Sequence, residues 1–129
     1  MVTKKSIIAA VSFALLSGMA VTANAGQVLT CEKRNSPERS RASVEVEDLR
    51  PGALFTAVVT SGANSATSAP VAANALGVVE YDFDSNPRDI RAGANPIASS
   101  FIVGGTASVS VKDALGNSVA TATANCRTR

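Results

Sequence analysis

Val78-Val-Glu-Tyr-Asp-Phe-Asp-Ser-Asn-Pro-Arg-Asp-Ile90 alternates apolar and acidic residues, then runs into the densest polar cluster of the chain. Successive side chains of a strand point to opposite sides, so Val79, Tyr81 and Phe83 share one face and Glu80, Asp82 and Asp84 the other. One apolar and one charged face describe a strand that covers a core on one side and meets water on the other. The following Asn86-Pro87-Arg88-Asp89 is predicted to start a single helical turn. Asn86 caps it, Pro87 takes the first position, Asp89 stands where a capping-box acid belongs, and Gly93 stops it.

Working outward, short strand patterns recur at roughly ten-residue spacing. Residues 27–31 place Leu29 and Cys31 on one face. Residues 42–49 alternate Val44 and Val46 with Glu45 and Glu47, and 54–60 are apolar enough for the middle of a sheet. Residues 32–41, charged and interrupted by Pro37, read as a loop. The small-residue stretch 61–75 reads as a loop with a weak edge strand at 69–72. Residues 99–103 read as a strand. Residues 106–112 and 118–126 form a hairpin around Asp113-Ala114-Leu115-Gly116-Asn117, whose Gly and Asn suit positive φ. The expected fold is an all-β antiparallel sandwich of seven or eight strands.

The first residues carry Lys4 and Lys5, an apolar run from 7 to 21, and Ala23-Asn24-Ala25. This is the pattern of a secretory signal peptide over 1–25; the run falls short of the roughly 20 residues of a membrane span, so no transmembrane segment is expected after cleavage. A single domain over 26–129, secreted or periplasmic, follows. The chain has no N-glycosylation sequon, which suits a bacterial exterior. Twelve Lys and Arg oppose ten Asp and Glu, and loss of Lys4 and Lys5 leaves ten against ten. A formally neutral domain lacks the positive charge of a nucleic-acid binder.

Cys31 and Cys126 are the two cysteines, near opposite ends of the mature chain. In an oxidising compartment they are expected to pair, a closure worth about 4 to 5 kcal/mol in the chain-entropy model. With no His in the chain, they lack the partners of a metal site or the base of a catalytic thiol.

Two short motifs carry a family likeness. Leu49-Arg-Pro-Gly-Ala-Leu-Phe55 resembles the Leu-x-Pro-Gly-x-x-Tyr corner of fibronectin type III and related immunoglobulin-like modules, with Phe55 in place of the tyrosine. Val111-Lys-Asp-Ala-Leu-Gly-Asn-Ser-Val119 resembles a hairpin common in bacterial immunoglobulin-like domains. The resemblance implies an immunoglobulin-like sandwich with adhesive, structural or accessory roles, and no core Trp supports it.

Two clusters are candidate sites. Glu80, Asp82, Asp84, Asn86 and Asp89, joined by Glu45 and Glu47 if their strands pair, offer oxygen ligands that suit Ca²⁺ in an exported protein. Pro87 and Gly93 stand where an EF-hand needs Gly and Glu, so the competing reading is a solvated face neutralised by Arg88, Arg91 or Arg50. The second cluster is basic: a disulfide would bring Lys33 and Arg34 to Arg127 and Arg129, a patch for an anionic lipid, polysaccharide or protein partner, set against plain soluble chain ends. Without His, a free Cys or a nucleophile-elbow Ser, an enzyme is not expected. The expected function is a non-enzymatic binding or accessory domain, with a subunit of a surface fibre or extracellular matrix as the alternative.

Overall fold

The computed structural model describes residues 26–129; the signal peptide expected over 1–25 lies outside them. Ten strand segments and one helical turn follow in order: β1 Gln27–Asn35, β2 Glu38–Val46, β3 Leu54–Ser61, β4 Asn64–Thr67, β5 Val71–Ala72, β6 Val79–Asp84, α1 Pro87–Arg91, β7 Asn95–Pro96, β8 Thr106–Asp113, β9 Ser118–Asn125 and β10 Arg127–Thr128. They form two sheets, ordered β10-β1-β2-β6-β7 and β4-β3-β8-β9, with β5 also paired to β3. The count exceeds seven or eight because β5, β7 and β10 are two-residue ladders. Pairing is antiparallel except where β10 and β7 join β1 and β6 in parallel.

The alternation read in the sequence is what packs the sheets. Val79, Tyr81 and Phe83 of β6 and Val44 and Val46 of β2 face Ala57 and Val59 of β3 and Val109 and Val111 of β8, all buried. At one margin the sheets close through the expected disulfide, Cys31 to Cys126, with Cα atoms 4.6 Å apart. Ala120, Ala122 and Ala124 of β9 pack on the core beside it, and small side chains permit that close approach. Gly77, at φ +76°, accepts the Leu49 N–H at 2.9 Å. A Cβ there would lie 2.5 Å from the Leu49 carbonyl oxygen, so the corner before β6 requires glycine.

Four segments differ from their sequence reading. Residues 32–41 are strand, because β1 and β2 form one long hairpin paired from Gln27↔Val46 to Asn35↔Glu38. Pro37 sits in its two-residue turn, where a missing N–H costs no ladder bond, and the charges on either side become cross-strand partners. Residues 99–103 are not strand. Phe101 and Ile102 are buried, but side chains satisfy the backbone: the Ile102 N–H donates to Ser40 Oγ at 3.1 Å and the Val103 N–H to Ser61 Oγ at 2.9 Å. In the small-residue stretch, β4 pairs with β3 at Asn64–Thr67 and the weak edge shrinks to β5. In the β8–β9 turn Gly116 has positive φ and Asn117 does not; Asp113 Oδ1 organises it instead, accepting from the N–H groups of Leu115 and Asn117, each at 2.9 Å. None of the described helices is long and apolar enough to cross a membrane.

Candidate functional site

The wetted face of the first sheet carries most of the charge, and strand register arranges it in rows. One row runs Arg127 on β10, Glu32 on β1, Arg41 on β2 and Asp84 on β6, alternating in sign across four strands. Toward one end of the strands, Thr30, Ser43 and Asp82 form the next row, followed by Val28, Glu45 and Glu80. Toward the other end Arg34 stands opposite Arg39. The face is therefore dipolar along its strands, acidic where Glu45 opposes Glu80 and basic where Arg34, Arg39, Arg127 and Arg129 gather. Like charges directly opposed across strands repel, so the Glu45–Glu80 end favours an opposite charge from outside, whereas opposite Arg34 the charge of Arg39 is answered by Asp84 and Asp89.

The acidic residues divide into two kinds. Glu80 and Asp82 are exposed, and Asp82 Oδ1 accepts the Ser43 hydroxyl at 2.8 Å. Asp84 continues the same face but is only 3% exposed. Arg39 donates to it twice, Nε to Oδ1 at 2.9 Å and Nη2 to Oδ2 at 2.6 Å. Burial pushes the Asp84 carboxyl up, yet the hydrogen bonds from Arg39 and the Asn86 N–H and the charges of Arg39 and Arg41 outweigh it, so its pKa lies below the usual value. Arg39 Nη2 also reaches Asp89 Oδ2 at 2.9 Å.

The neutralising cation is thus Arg39, with Arg41 at 4.0 Å from Asp84, in place of the expected Arg88, Arg91 or Arg50. Asn86 caps α1 as expected, its side chain accepting the Arg88 N–H. The capping-box position does not act as expected: Asp84 Oδ1, not Asp89, accepts the Asn86 N–H at 3.0 Å. Glu80, Asp82, Asp84 and Asp89 do line one cleft of about 340 Å³, with Arg41 in its wall. Yet among the described residues no group of three or more acidic, His or Cys side chains is gathered as a metal would need. Two of the five expected Ca²⁺ ligands, Asp84 and Asp89, already hold an arginine.

The basic cluster forms in altered membership. Pairing of β10 with β1 brings Arg127 and Arg129 beside Glu32, and Arg129 Nε lies 2.6 Å from Glu32 Oε2. That contact is an ion pair off the N–H direction, so Glu32 Oε2 remains without an aligned hydrogen bond. Arg34 approaches the same oxygen at 4.0 Å. Lys33 points to the other side of β1, where Nζ donates to Glu38 Oε2 at 2.9 Å and to the Ser99 carbonyl at 2.8 Å. The Lys33 hydrogen bond holds the Glu38 carboxyl below its ordinary pKa. Lys33 therefore leaves the patch and Arg41 enters it. Arg41, Arg127, Arg129 and the side chains of Thr30 and Ser43 line an open cleft of about 310 Å³ with Glu32 and the disulfide at Cys31.

Reading residues 38–41 as strand would have exposed Arg39 and Arg41: with Ser43 and Glu45 they form a period-two set outside, against Ser40, Ala42, Val44 and Val46 inside. No protein-family model matches the chain, and no curated protein or solved structure is detectably similar to it.

Proposed function

We propose that the protein is an exported, non-enzymatic binding domain that docks an acidic polysaccharide in the arginine cleft of its first sheet. The observation that carries this reading is the convergence of Arg41, Arg127 and Arg129 with the Thr30 hydroxyl on one cleft, where Glu32 pairs with Arg129 and Arg127 forms no ion pair among the described residues. Guanidinium groups take carboxylate and sulfate in a two-pronged fashion, and the Thr30 hydroxyl adds a neutral donor. The sheet below is rigid and the tail carrying two of the arginines is tethered by the disulfide, so little ordering is lost on binding. That disulfide is compatible with an extracellular or periplasmic location.

The strand order supports the immunoglobulin-like architecture that the motifs suggested. β1-β2-β6 corresponds to strands A, B and E of such domains, and β3-β8-β9 to C, F and G. Binding rather than catalysis is favoured because the chain has no His and both cysteines are oxidised.

The test is direct titration of the oxidised protein with a sulfated or uronate-rich polysaccharide at low and high salt. Saturable binding that weakens with salt and is lost in Arg41→Ser with Arg127→Ser supports the reading; no binding at low salt overturns it.

A further inference from the structure

The second sheet ends in an apolar cleft of about 630 Å³, between the β2–β3 corner and the β8–β9 turn. Leu54, Phe55, Leu115 and Val119 line it. Leu115, at the tip of the turn, is 86% exposed and Leu54 is 52% exposed. A leucine held in the open beside a cavity of this size is a surface that water covers at a cost, and such patches mark contact sites. Asp48, Arg50 and Asp113 also line it, the first two exposed and the third half-buried, and none forms an ion pair among the described residues.

We infer that this end cleft is a two-fold self-association surface, in which Leu115 of each copy enters the cleft of the other. The charges select that occupant. In a two-fold contact every residue meets its symmetry mate's surroundings, so a patch must be complementary to itself. A margin holding unpaired charges of both signs, Asp48 and Asp113 with Arg50, meets that condition, with Arg50 of each copy facing Asp48 of the other. A margin of one sign would have pointed to an oppositely charged partner. The turn that presents Leu115 is fixed by the Asp113 side chain, so the apolar knob is presented without a large ordering cost.

Because the contact closes on itself it gives a dimer and no larger polymer. The test is sedimentation of the oxidised protein from roughly 1 µM to 1 mM, the weak end of protein association. A monomer–dimer equilibrium is expected, with Leu115→Asp monomeric throughout and its melting midpoint at low concentration unchanged, since the side chain is solvent-exposed in the monomer. Arg50→Glu alone and Asp48→Lys alone each weaken dimerisation about tenfold or more through like-charge contact, and an equimolar mixture of the two restores it as a heterodimer. A protein monomeric at 1 mM, a dimer that persists in Leu115→Asp, or no rescue in the mixture overturns the inference; a monomer whose cleft instead takes up a small apolar dye assigns it to an apolar ligand.

Discussion

Arg39 on β2 grips Asp84 on β6 at two points, and the carboxylate it grips is almost wholly buried. The pair joins the charged face to the core strand that carries Tyr81 and Phe83, and Asp84 in turn holds the backbone at the start of α1. Removing the cation leaves a buried charge; removing the anion leaves an arginine that still reaches Asp89 and water. Arg39→Ala is therefore expected to cost about 3 kcal/mol, and Asp84→Asn about 1 to 2 kcal/mol. Urea denaturation of both variants checks the order, and equal costs would contradict it.

The same pair sets the acid limb of stability. Unfolded, Asp84 takes up its proton near the ordinary aspartate value of about 3.9; folded, it does so at lower pH. Between the two the unfolded chain binds more protons, so this contribution is complete above about pH 4 and is lost as pH falls through the folded pKa. The stability of Asp84→Asn, measured from pH 6 to 2, should fall less steeply than that of the parent.

Tyr81 governs the opposite limb. Its ring is buried, its hydroxyl has no hydrogen-bond partner among the described residues, and burial pushes its pKa up to about 12. Here the folded state holds the proton longer. The contribution is present below about pH 10 and is lost as pH rises through about 12. Tyr81 is the single tyrosine of the chain, so phenolate absorbance reads it alone and should rise together with alkaline unfolding. Tyr81→Phe removes an unsatisfied buried hydroxyl and is expected to stabilise by about 1 kcal/mol. A destabilised Tyr81→Phe would show that the hydroxyl is satisfied.

Calcium should leave the protein unchanged. With Asp84 and Asp89 committed to Arg39, melting midpoints in EDTA and in millimolar Ca²⁺ are expected to agree. A site filled at 100 times its dissociation constant would add about 2.7 kcal/mol, which raises the midpoint of a domain this size by about 10 °C or more. A rise of that size, abolished by Asp82→Asn, would restore the calcium reading.

The sandwich was legible because its inner residues alternate strictly, as Val79, Tyr81 and Phe83 do, and period-two burial leaves a direct trace in sequence. The disulfide was legible from the cysteine count and the oxidising compartment that the leader pattern led us to expect. The outer half of the β1–β2 hairpin, residues 32–41, was not, because its strand signal is carried by charged residues whose pairing, Glu32 with Arg41, exists only across the sheet. Residues 99–103 misled for the opposite reason: their apolar side chains are buried as in a strand, while Ser40 and Ser61 take the ladder's place. The same blindness to partners misassigned Lys33, whose charge is spent on Glu38 and the Ser99 carbonyl behind the face.

Lys33 supplies the control for the measurement that tests the binding account most directly. The affinity of an acidic polysaccharide should be measured for the parent, for Arg41→Ser with Arg127→Ser, and for Lys33→Met, each shown to be folded. The account predicts a loss of at least about tenfold in the arginine variant and parent-like affinity in Lys33→Met. Equal losses in both would reduce the binding to diffuse attraction by any nearby cation, and an unchanged arginine variant would contradict the cleft as the docking site.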